Sequence, residues 1–205
     1  MKLGPQYKIC KRLGSSIFEK CQTRRFALSK ERSLENARKN RRRGRGGSDY
    51  SRQLIEKQKL RLSYGLTERQ FSTYVSKALE SKVNPQETLF SSLESRLDAI
   101  AYRMGIAPTR RAARQLVSHG HLLVNGKRIT IPSYHVSVND VISVREGSRQ
   151  TGLFEGLTEK LKEFRMPSWV QFDASTKEGV LATPPVFSDQ DTAADIGAVF
   201  EFYTR

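Results

Sequence analysis

Apolar positions recur with helical spacing through the first half of the chain and with strand-like spacing after it. Phe71, Tyr74, Val75, Ala78 and Leu79 fall at i, i+3, i+4, i+7 and i+8, the single apolar stripe of an amphipathic helix. Thr67-Glu68-Arg69-Gln70 precedes them. That is a capping box, in which the Thr hydroxyl accepts from the third residue's N–H while the Gln side chain reaches back. After the break at Asn84-Pro85, Leu89, Leu93, Leu97, Ile100 and Met104 continue the helical spacing as far as Gly105, and one helix is predicted there. Upstream, Ser48 or Asp49 opens a helix running to about Tyr64, with Gly65 as its stop. Up to Gly105 the chain reads as an all-helical unit.

The pattern changes at Pro108. Thr109 is a candidate cap for a short helix over 110–119, ended by Gly120. At helical spacing Arg110, Arg111, Arg114, Gln115 and Ser118 share one side, an arc of about 140°. Ala112, Ala113, Leu116 and Val117 occupy the other. One face packs, and the other gathers guanidiniums, an amide and a hydroxyl. Then His121–Val124, Asn125-Gly126 and Lys127–Ile131 predict a hairpin, because Asn-Gly suits the positive φ angles of a type I′ turn. Further strands are expected over Tyr134–Val138 and Val141–Arg145. Residues 153–164 suggest a helix interrupted by Gly156, Pro184-Pro185 a loop, and Val199–Tyr203 a final strand. Trp169 and the late phenylalanines read as core. The fold class is α+β.

Charge changes the picture. The 205 residues carry 36 Lys and Arg against 21 Asp and Glu, a formal +15. The first fifty residues alone have a net charge of +11, whereas 158–205 have −3. From Asn36 to Ser48 there is one apolar residue among three glycines and a run of arginines, too little apolar surface to fold alone. Arg41, Arg42, Arg43 and Arg45 therefore read as an arm that orders on phosphates. Such contacts release counterions and make affinity fall steeply with salt. Other classes fade. No apolar run approaches the ~18 residues of a membrane helix, and Met1-Lys2-Leu3-Gly4-Pro5 lacks the apolar stretch of a secretory signal, so an intracellular location without membrane contact is expected. Two cysteines do not make a disulfide framework. Gly44-Arg45-Gly46-Gly47-Ser48 is not a Walker loop. His119, His121 and His135 assemble no catalytic group, and no enzyme is expected.

Several motifs in order then point to a family. Ser95-Arg96-Leu97-Asp98, Tyr102-Arg103-Met104-Gly105, Ala112-Ala113-Arg114-Gln115-Leu116-Val117 and Val124-Asn125-Gly126-Lys127 resemble a small RNA-binding module. It is named after the fourth small-subunit ribosomal protein, S-four. Glu56-Lys57-Gln58-Lys59-Leu60-Arg61, Tyr64-Gly65-Leu66-Thr67-Glu68-Arg69-Gln70, Leu3-Gly4-Pro5 and Glu201-Phe202-Tyr203 are similar to the remainder of that ribosomal family, in the bacterial order and length. The resemblance implies a basic, partly extended arm over 1–48 and a helical domain over 49–93 completed by 188–205. An S-four-like (α-L) module and its extension would cover 94–187. It also implies RNA contacts from Lys57, Lys59, Arg61, Arg69, Arg96, Arg103, Thr109, Arg110, Arg111, Arg114, Gln115, Ser118, His119 and Lys127, five of which the helical geometry picks out independently.

The family further implies early binding to small-subunit ribosomal RNA, nucleation of the subunit body and influence on decoding accuracy. The implied neighbours are the fifth protein of the series and messenger RNA where it enters, in a bacterial cytoplasm or, alternatively, a plastid. Some members hold zinc with four cysteines in the arm. Here Tyr7 stands where the first would be, and Cys10 and Cys21 alone cannot close a tetrahedral site, so neither metal nor cofactor is expected. The same module is appended to pseudouridine synthases and tyrosyl-tRNA synthetases, but no stretch outside 94–157 has the size of a catalytic domain.

Overall fold

The computed structural model describes residues 4–39, 48–154, 156–187, 192 and 194–205. One compact unit takes the chain up to Glu80 together with its C-terminal end. The other spans 81–187.

The first unit is helical. It begins with α1 (Gln6–Leu13), a 3-10 turn (Glu19–Cys21) and α2 (Arg24–Lys39), in the stretch read from sequence as a partly extended arm. The reason is a small core the arm makes for itself: Cys10, Leu13, Phe18, Cys21 and Phe26 are buried together with Leu62. Arg41, Arg42, Arg43 and Arg45 lie outside the described residues. Helix α3 (Asp49–Ser63) starts at Ser48, whose hydroxyl accepts from the Ser51 N–H. Helix α4 (Glu68–Leu79) carries the expected capping box, with both Thr67–Gln70 bonds formed.

The C-terminal end packs on α3 and α4 within this unit. Gln53 donates to Glu201 at 2.9 Å, the Asp195 N–H donates to Glu56 at 3.0 Å, and the Tyr203 hydroxyl donates to Glu68 at 2.8 Å. The strand expected over Val199–Tyr203 is a helix, running from Ile196 to Tyr203 and capped by the Asp195 carboxylate on the Ala198 N–H. A short apolar run fits strand and helix alike, and here the cap and the partner α3 decide.

The second unit starts with α5 (Pro85–Glu94) and α6 (Leu97–Arg103), so the single helix expected over 89–104 is two. The break at Ser95-Arg96 has a cause in the loop beside it. Arg96 is extended and bridges His135, Val136 N–H donates to the Ser95 carbonyl at 2.9 Å, and Leu97 N–H to the Tyr134 carbonyl at 2.9 Å. Those bonds also use the Tyr134 carbonyl and the Val136 N–H of the segment Tyr134–Val138. That segment forms only this bridge and not the strand expected of it.

Helix α7 (Arg110–Ser118) follows, then β1 (Leu122–Val124), β2 (Lys127–Arg128), β3 (Val141–Val144), α8 (Leu157–Glu163), β4 (Val170–Asp173) and β5 (Glu178–Leu181). The closing helix of the chain (Ile196–Tyr203) is α9. The strands form one antiparallel sheet in the order β2-β1-β3-β5-β4. Asn125 and Gly126 sit at φ 49° and 76° in the β1–β2 turn, as the Asn-Gly pair requires. Ala113, Leu116 and Val117 of α7 are buried in a core with Leu97, Ile100, Met104, Leu122, Ile142 and Trp169. The 153–164 helix begins only at Leu157, because Gly156 caps it at φ 64°.

Helix α5 belongs to the second unit: it packs on α6, and its terminal Glu94 is tied to the side chains that follow.

Candidate nucleic-acid interface

Helix α7 carries the chemistry. Thr109 accepts from the Ala112 N–H at 3.0 Å and fixes the helix start. Gly120, at φ +70°, ends it, with N–H bonds from Gly120 to Val117 and from His121 to Leu116. Gly120 also gives room: a Cβ there would lie 2.2 Å from Arg128 Nε. Through that gap Arg128 donates to the His119 carbonyl at 3.0 Å, tying hairpin to helix end.

The arginines of this region divide into two sets. Arg111, Arg128 and Arg145 are exposed, as are Lys127, Gln115, Ser118 and His119. The others engage two buried carboxylates. Glu94, whose side chain is 0% exposed, accepts Arg103 through both oxygens at 2.8 and 3.0 Å and Arg110 at 2.9 Å. Asp98 accepts Arg96 through both oxygens at 2.8 and 3.0 Å and Arg114 at 2.9 and 3.0 Å. The Arg110 guanidinium also lies 4.8 Å above the Tyr102 ring. Paired forks of this kind fix both distance and plane.

Part of the exposed set, His119, Arg128 and Arg145, surrounds His121. Burial holds the His121 imidazole below its ordinary pKa, and the charges of His119, Arg128 and Arg145 push the same way. His121 Nδ1 is 2.9 Å from the Ser148 hydroxyl. Cations close enough to oppose protonation of His121 make this part of the surface positive.

In the first unit the basic residues are placed differently. Lys57 is buried, paired with Glu68 and 4.3 Å above the Phe202 ring. It is an internal tie rather than surface. Lys59 is held by Glu56 at 2.6 Å, and Arg61 by Gln58 at 2.7 Å and the Leu66 carbonyl at 3.2 Å. Arg69 is exposed. Burial raises the Glu68 pKa, but the bonds from Lys57 and Tyr203 and the charges of Lys57 and Arg61 outweigh it, and the carboxyl sits below its usual range. Burial, followed by Glu68, pushes the Tyr203 hydroxyl above its own.

Two family models meet on this chain. Residues 2–94 match the ribosomal protein S4/S9 N-terminal domain, and residues 95–142 match the S4 domain. The chain belongs to the ribosomal protein S4 family. It is a small-subunit ribosomal protein that binds RNA, in a family of structural RNA-binding proteins of the ribosome rather than enzymes. That ribosome is in the cytoplasm or a plastid. The two models join between Glu94 and Ser95.

Within the S4 domain, the sites expected from sequence gather around α7 and the hairpin, with one displacement. Arg96 is 2% exposed and bound to Asp98, so it is not a surface group. Two surface cations of the same region, Arg128 and Arg145, escaped the sequence reading. The Asn-Gly turn was the available signal for Arg128, since residues flanking it lie on an exposed ribbon. Among the described residues no group of three or more His, Cys, Asp or Glu side chains is placed to hold a metal. Cys10 and Cys21 are free and buried. No helix among the described residues is long and apolar enough to cross a membrane.

Proposed function

We propose that this S4 protein binds small-subunit ribosomal RNA directly and early, at a junction of several RNA helices, and so nucleates assembly of the subunit body. The exposed side chains Arg111, Gln115, Ser118, His119, Lys127 and Arg128 on α7 and the hairpin, with Arg145 just after β3, are set on the module core and carry this reading. A-form major grooves are too narrow for side chains to read, so a fixed array of cations recognises phosphate geometry and junction shape rather than base sequence. The arginines at 41, 42, 43 and 45 add electrostatic affinity.

By family likeness, the fifth small-subunit protein and messenger RNA where it enters are neighbours, and this protein contributes to decoding accuracy, in a bacterial ribosome. The protein performs no catalysis. The decisive experiment is binding of the purified chain to small-subunit ribosomal RNA free of other proteins, followed by crosslink sequencing. Protection clustered at one multi-helix junction is expected. Affinity that appears only after other ribosomal proteins are added overturns direct, early binding. Modified nucleosides appearing in the RNA overturn the absence of catalysis.

A further inference from the structure

We propose that Glu94 and Asp98, which are buried, act as positioning residues for RNA recognition, holding the α7 arginines Arg110 and Arg114 in one presentation. The inference rests on the RNA-junction reading above and deepens it. Two carboxylates beneath an RNA-facing helix are an electrostatic cost to binding a polyanion, and buried ion pairs are weak evidence for stability, since apolar replacements of similar volume are often neutral or better. Their geometry supplies another reason for them. Glu94, at the end of α5, joins Arg103 from the end of α6 to Arg110 from the start of α7. Asp98, on α6, joins Arg96 from the break before that helix to Arg114 on α7.

Arg110 and Arg114 are four residues apart, hence on one face. Their side chains keep 19% and 29% exposure, while Glu94 accepts one bond from Arg110 and Asp98 accepts two from Arg114. A loose arginine loses rotamer freedom when it meets phosphate, and that loss weakens binding. Arginines already fixed avoid that loss only for the phosphate spacing they match. Loose cations accept any polyanion, and fixed ones discriminate.

The test compares the full chain with Asp98→Asn, Glu94→Gln and the double variant, each bound to a small-subunit ribosomal RNA junction fragment and to a random-sequence duplex of equal length. Removing acids raises net positive charge, so simple electrostatics predicts tighter binding to both. Positioning predicts that the junction-to-duplex preference falls, by about tenfold in the double variant, while duplex affinity holds or rises. Arg114→Lys keeps the charge and loses the fork. It is expected to lose preference in the same direction, and it decides the matter should an acid variant fail to fold. Folded variants that keep the full preference overturn the positioning role alone. A parent protein with no preference overturns both this role and the junction reading.

Discussion

Replacing Arg110 and Arg114 together by alanine tests whether these side chains are only surface cations. In a simple basic ridge, both would come off without harm to the fold. In the structure each removes a partner from a buried carboxylate: Glu94 keeps Arg103 and Asp98 keeps Arg96. A buried charged acceptor that loses one hydrogen-bond donor costs about 1–3 kcal/mol. The remaining arginine on each acid puts the loss in the lower part of that range, so the pair is expected to cost about 2–4 kcal/mol. For a unit near 100 residues this lowers the melting midpoint by about 10–20 °C.

Trp169 is the chain's one tryptophan and lies in the core of the second unit, 4% exposed. Its fluorescence therefore reports this unit during a thermal melt. Arg111→Ala is the control, an exposed α7 arginine whose loss is expected within about 0.5 kcal/mol. A double variant melting within about 2 °C of the parent would refute the reasoning, because the buried carboxylates would then be indifferent to α7.

Three further outcomes are expected. Arg111→Ala and Lys127→Ala should each flatten the slope of log affinity against log salt by about 0.7–0.9, read from RNA titrations at several salt concentrations; an unchanged slope removes that residue from the interface. Cys21 should resist alkylation in the folded protein at mildly alkaline pH and react fully in denaturant, since burial, then the hydrogen bond and charge of Cys10 and the charge of Glu19, push its thiol up to about 12. Fast labelling of native protein would contradict this. His121, held below its ordinary 6.5 by burial and neighbouring cations, binds fewer protons folded than unfolded, so its contribution is complete above about pH 6.5 and is lost as pH falls below it. Denaturant titrations of parent and His121→Gln should therefore diverge in pH slope below that point, and parallel slopes would count against it.

Much of this architecture was legible before any coordinates. The capping box at Thr67, the cap at Thr109, the Asn125-Gly126 turn and the packed face of α7 all follow from local rules in which a side chain acts on its own backbone. The failures share a different cause. The break at Ser95-Arg96 depends on hydrogen bonds to Tyr134 and Val136, far along the chain. The helical form of Ile196–Tyr203 depends on α3, and the helices at the start of the chain depend on a core completed by Leu62. Strands β4 and β5 were not foreseen, and Gly179 explains why their signal is faint. It interrupts the apolar pattern of β5 because a side chain there would collide with the Gln171 carbonyl, 2.7 Å from the position of a Cβ.

The same distinction governs the interface. Helical spacing identified Arg110, Arg111 and Arg114 as one ridge, and as a ridge it exists. Spacing along α7 says nothing of Glu94 and Asp98, which approach from α5 and α6 and divide otherwise equivalent guanidiniums into held and unheld ones. A count of basic residues therefore overstates the charge that nearby phosphates feel. Glu94 and Asp98 offset part of the charge of Arg96, Arg103, Arg110 and Arg114, while Arg111, Lys127, Arg128 and Arg145 stand exposed. Recognition of RNA by such a surface has two separable parts: exposed cations that set affinity and its salt dependence, and restrained ones that set which arrangement of phosphates is accepted. Substitutions at Arg111 or Lys127 should move the first, and substitutions at Glu94 or Asp98 the second, because only the latter change where a charge is held.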